Sequence, residues 1–159
     1  MAQITYADKV ALYENNDIAD INKVKADDMN EIKSVVNENN TNTTPVVLFQ
    51  NNSGQYGNFT LSDSISNYSY IEIFFNERVY RQASVKIRTD VYLENVPLTI
   101  MFPQGTSVFY RSAAYTFSGT SATKTVFLGF QFASNGTITF QSEDNNVRIT
   151  VTKVVGYKQ

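Results

Sequence analysis

The chain has 159 residues and a net charge of −2, and it contains no cysteine, histidine or tryptophan. Without cysteine there are no disulfides or thiolate metal sites, and without histidine the usual neutral-pH acid–base group and the commonest zinc ligand are missing. A mildly acidic chain leaves no basic footprint for nucleic acid or an anionic membrane surface. The opening "MAQITYADKVALYENND" carries Asp8 and Glu14 and no apolar run. It reads as neither a signal peptide nor a membrane span, so synthesis in a cytosol without membrane insertion is expected.

Composition changes near Thr41–Pro45. Residues 1–44 hold 4 Lys and 8 Asp/Glu, with two aromatics and no Gly or Pro, whereas residues 45–159 hold 19 of the 21 aromatics and every Gly and Pro. The polar junction "NENNTNTTP" therefore marks a boundary between an N-terminal segment, 1–44, and a distal domain, 45–159. Within the first, Asp17 can cap a short helical turn carrying Ile18, Ile21 and Val24. Asp28 followed by Glu31 fits a capping box and predicts a helix from Met29 to Asn39. Met29, Ile32, Val36 and Asn39 follow one another at 3-4-3 spacing, the seam of a short coiled coil, with Val35 beside it. Isolated helices under about 12–15 residues are marginal in water, so this one needs a partner. Other copies of the chain or a docking surface would supply it.

Period two governs the remainder. "YSYIEIFF" sets Ile71, Ile73 and Phe75 on one face. "ASVKIRTDVYL" aligns Val85, Ile87, Val91 and Leu93 against Lys86, Arg88 and Asp90. "KTVFLGFQF" aligns Val126, Leu128, Phe130 and Phe132, and "NVRITVTKVVGY" aligns Val147, Ile149 and Val151. With Val46–Gln50, Asn58–Ser62, Pro97–Phe102, Ser107–Phe117 and Gly136–Ser142, about nine strands are predicted. Short strands separated by "NNSGQYGN", "SGTSA", "ASNG" and "SEDNN" predict a mainly β fold, an antiparallel sandwich of the jelly-roll kind. Several strands are apolar on both faces, as where Tyr70 and Phe74 oppose Ile71 and Ile73. Either aromatic edge packing or contact with other copies, as in a homotrimer, accounts for this.

"INKVKADDMNEIKSVVNEN", "TLSDSISNYSYIEIFF" and "VRITVTKVVGYKQ" lie at the start, middle and end of the chain and cover about a third of it. They resemble segments of small fibre and appendage proteins of tailed bacteriophages and prophages, mainly of Gram-positive hosts. The resemblance implies a virion structural protein, often trimeric, anchored through its N-terminus to other virion proteins and touching the host with its β-domain. It implies no particular binding residue. A head fibre or capsid decoration that binds only virion proteins remains the alternative.

No cofactor or metal is expected, and no catalysis. The β-region carboxylates Asp63, Glu72, Glu77, Asp90, Glu94, Glu143 and Asp144 form no recognisable pair, and a Ser triad lacks its histidine. The acids of "SEDNN" read as a solvated Asx turn rather than a calcium loop. Glycan binding asks instead for aromatic faces, amides and a few charges. Candidate contacts are Tyr56 in "NNSGQYGN", Tyr80 and Arg81 in "NERVYRQ", and Arg111 between Tyr110 and Tyr115.

Overall fold

A computed structural model describes residues 26–77, 81–91, 93–144 and 148–158. The chain divides into two compact units, Met1–Thr44 and Pro45–Lys158. In the first, helix α1 spans Ala26–Thr43, longer at both ends than the sequence suggests. Asp28 is therefore not the cap. It sits inside the first turn, where acidic side chains favour the helix through its N-terminal dipole. At the other end, Thr44 closes the last turn by donating its N–H and its hydroxyl to the Asn40 carbonyl, at 3.1 and 2.8 Å. Pro45 follows, and the residue before a proline is disfavoured from helical geometry.

The second unit is mainly β, with nine strands among the described residues: β1 Val46–Gln55, β2 Phe59–Thr60, β3 Tyr70–Glu77, β4 Arg81–Arg88, β5 Val96–Gln104, β6 Ser107–Ser118, β7 Ser121–Phe132, β8 Ile138–Phe140 and β9 Ile149–Tyr157. They form two antiparallel sheets. The first has the order β1-β9-β3-β4. The second runs β2-β7-β6-β5, with β8 also paired to β7. Two-residue turns, Gly105–Thr106 and Gly119–Thr120, join β5 to β6 and β6 to β7.

Strict alternation builds the core. Along β3, Ile71, Ile73, Phe75 and Glu77 point inward while Tyr70, Glu72, Phe74 and Asn76 point outward. Ile71, Ile73, Ile149, Val151 and Val154 of the first sheet and Leu98, Ala113 and Tyr115 of the second are all at 0% exposure and belong to one cluster. Two sheets sharing one apolar interior is the packing of a β-sandwich. Each fully buried aliphatic side chain contributes about 1.5–3 kcal/mol. Among the described residues two charged side chains, Glu77 and Arg111, are buried as well.

Two expected strands end elsewhere. β4 stops at Arg88, where bends at 89–91 carry Val91 outward to 50% exposure while Leu93 returns to the core. Arg88 and Asp90 pair there, with Nε to Oδ1 at 2.9 Å. β1 runs on through "NNSGQ", a segment the sequence suggests as turn, because its pairing with β9 slips between Gln50 and Gln55. Gly54 makes that slip possible. It has φ +77, and a Cβ there would stand 2.6 Å from the Thr150 hydroxyl.

Candidate functional site

The outer face of the first sheet carries a concave, open depression of about 580 Å³, within the size range of small-ligand sites. Two irregularities shape it. The slip in β1 places Asn52 on its wall beside Gln50, whose side-chain amide donates to Asn52 Oδ1 at 3.2 Å. In β9, Phe74 pairs with Lys153 but Phe75 pairs with Val151, so Thr152 is an extra residue. Thr152 and Lys153 consequently both line the depression. Bulges of this kind re-aim side chains and recur beside binding sites.

The remaining lining comes from alternation. Phe74 and Asn76 on β3 and Gln82 and Ser84 on β4 are outward neighbours, with Phe74 opposite Ser84 and Asn76 opposite Gln82. The Thr152 hydroxyl donates to the Phe74 carbonyl at 3.2 Å, and Ser84 donates to Glu72 at 2.9 Å. The side-chain amides of Asn76 and Gln82 make no hydrogen bond among the described residues. They are free to donate and accept at once. Lys153 Nζ stands 5.8 Å from the Phe74 ring centroid and is the one charged group in the lining among the described residues. Next to the depression, Glu72 also accepts from the Tyr157 hydroxyl at 2.7 Å. That bond is the main reason the Tyr157 hydroxyl titrates above its ordinary range, with burial adding to it. Among the described residues no carboxylate lines the depression. Its chemistry is amide, hydroxyl and one aromatic surface, suited to holding a polyhydroxylated ligand.

The described candidates taken from sequence lie elsewhere. Tyr56 is exposed, and the Arg148 guanidinium and Lys124 ammonium lie 4.8 and 5.3 Å from its ring centroid. Its carbonyl accepts from the Tyr115 hydroxyl at 3.1 Å, a group whose pKa burial raises, with Glu143 adding to the effect. Lys124 is ion-paired with Glu143. Arg81 is held by Glu77 at 2.8 Å and stacks 3.6 Å above the Phe102 ring, so it ties β4 to β5. Tyr80 lies outside the described residues. Arg111 is corrected outright as a surface contact. It points inward from β6 at 3% exposure and donates to the carbonyls of Tyr110 and Phe130 at 3.1 and 3.2 Å.

Compared with known proteins, the chain matches no family model and no curated sequence.

On α1, Met29 and Val36 are 54% and 55% exposed, and Ile32 and Val35 are half-buried. Ile18, Ile21 and Val24 lie outside the described residues. No helix among the described residues is long and apolar enough to cross a membrane.

Proposed function

We propose that this protein is a non-enzymatic bacteriophage appendage protein. In this reading its β-unit is a jelly-roll-like sandwich that binds glycan on the host cell surface. The N-terminal segment attaches it to other virion proteins, and the chain acts as a homotrimer. The amide-lined depression on the first sheet carries the proposal. Sugars offer apolar C–H faces and vicinal hydroxyls, and Phe74 with the free amides of Asn76 and Gln82 complements both. The jelly-roll reading draws on β9 lying between β1 and β3 and on β7 lying between β2 and β6. Self-association draws on Met29, Ile32 and Val36 at coiled-coil spacing on α1. Three shallow sites on one particle would bind a repetitive cell-wall polymer far more tightly than one.

The test is binding of the full-length protein to purified host cell-wall polysaccharide, and adsorption of particles that carry it. Phe74→Ala combined with Gln82→Ala should weaken polysaccharide binding about tenfold per group removed, since roughly 1.4 kcal/mol is a factor of ten. Thermal stability should hardly change, because both side chains face outward. Unchanged binding in that double variant would sink the glycan site. It would favour the second reading, a head-fibre or capsid-decoration protein, which draws on the apolar outer face of the second sheet.

A further inference from the structure

Among the described residues, the outer face of the second sheet bears no charge. One row crosses four strands as Met101, Tyr110, Phe130 and Phe140, each paired in register with the next. A neighbouring row runs Pro103, Val108, Phe132 and Ile138. Beyond the first row lie Leu128 and Val126 of β7. The polar pair at the centre, Thr99 and Ser112, satisfies itself through a hydroxyl contact of 2.9 Å. By contrast, the outer face of the first sheet carries Glu72, Lys86, Arg88 and Lys153.

Met101 is 65% exposed, Phe140 78%, Ile138 55%, Leu128 48%, Val126 46%, Phe132 40% and Val108 39%. Seven large apolar residues exposed on one face, in rows that run across paired strands, form a contiguous patch of the kind that marks an interaction surface. The surface is also ordered in advance. Phe130 contacts the rings of Tyr110, Phe140 and Phe132 at centroid distances of 5.8, 4.9 and 6.3 Å, so little side-chain freedom is lost when it is covered.

We propose that this face is a self-association surface, covered by the same face of other copies of this chain. The proposal names the β-surface for the self-association proposed above and rests on that reading. Absence of charge is what selects the occupant. A charged face meeting itself sets like charges together, whereas a neutral apolar face meets its own copy without that cost. Around a three-fold axis each face meets those of the two other copies, and side chains that meet across the contact lie within about 10 Å of one another.

The experiment compares full-length variants by light scattering at micromolar concentration. Wild type should be oligomeric. Leu128→Lys with Phe140→Lys should lower the mass to that of one chain while circular dichroism and melting temperature stay near wild type. The control Gln82→Lys, on the opposite sheet, should leave the mass unchanged. Because the chain contains no cysteine, a single Leu128→Cys gives an independent readout. A bis-maleimide spanning about 10 Å should join two chains through it, and should not through Gln82→Cys. If wild type is oligomeric but the lysine variant keeps its mass and Leu128→Cys does not cross-link, the face is not the interface and assembly through α1 still stands. A monomeric wild type overturns this inference and the self-association reading together.

Discussion

Gly156 lies in β9 with an ordinary backbone, yet a Cβ there would stand 2.4 Å from Cδ1 and 2.7 Å from Cε1 of Tyr68. Glycine to alanine in an unstrained strand would ordinarily stabilise by about 0.4–1 kcal/mol, by reducing the freedom of the unfolded chain. Here the steric effect wins. The Tyr68 ring is 5% exposed and cannot swing into solvent as a flexible side chain would. Its hydroxyl donates to Asp63 at 3.0 Å, and its backbone N–H donates to the Ile65 carbonyl at 3.1 Å. Overpacking of this kind costs about 1–3 kcal/mol, and disturbing a hydrogen bond to a carboxylate adds about 1.5 kcal/mol. Gly156→Ala should therefore destabilise the protein by roughly 2–4 kcal/mol and lower its melting temperature by roughly 6–15 °C. Urea unfolding followed by far-ultraviolet circular dichroism measures it. The sign should reverse in a Tyr68→Ala background, where the added methyl group meets open space. A Gly156→Ala protein as stable as wild type would show that the Tyr68 ring is not held against β9, and the reasoning would fail.

Asp63 accepts from the Ser64 N–H at 2.7 Å, from the Tyr68 hydroxyl and from the Asn67 amide at 2.8 Å, and these bonds, the Ser64 N–H foremost, hold its pKa below the ordinary aspartate range. Its contribution is fully present above the unfolded value and is lost as pH falls through the lower folded value, so Asp63→Asn should flatten the stability profile below about pH 4. An unchanged acid limb in urea titrations would contradict this. Gly54→Ala must accept a left-handed conformation and a collision with Thr150, and should cost roughly 2–3 kcal/mol by thermal melting. A melt at the wild-type temperature would show the slip in β1 to be malleable. Ile32→Asp should abolish assembly through α1, or attachment to the particle, while leaving the melting of the β-unit unchanged. Loss of β-structure in that variant would place α1 in the core.

What the sequence made legible was decided by alternation. In Tyr70–Glu77 the inward and outward sets separate cleanly, so Ile71, Ile73 and Phe75 read directly as core. The same parity places Arg111 with Phe109, Ala113 and Tyr115 on the inward side. A charge at that position suggests a surface residue only because the carbonyls that receive it, those of Tyr110 and Phe130, are fixed by folding. The depression was illegible for a different reason. Gln50, Phe74, Gln82 and Lys153 come from four strands, and their adjacency depends on β9 entering between β1 and β3, which no local pattern specifies. Two bulges then set the wall, and only the one at Gly54 leaves a mark in the sequence.

The position of β9 also sets a timetable. β1 and β3 are not neighbours; each waits for the strand that separates them, and residues 78–148 are synthesised in the interval. The β5-β6-β7 meander can pair hairpin by hairpin as it leaves the ribosome, but the first sheet cannot close until β9 has emerged. Long-range pairing of this sort is slow, and unpaired strand edges are exposed to aggregation and proteolysis meanwhile. A copy cut short before Ile149 would keep the β3-β4 pair and the second sheet but lose Ile149, Val151 and Val154 from the core and leave β1 without its strand partner. Completion of the first sheet therefore hangs on β9, the one strand that ties β1 to β3.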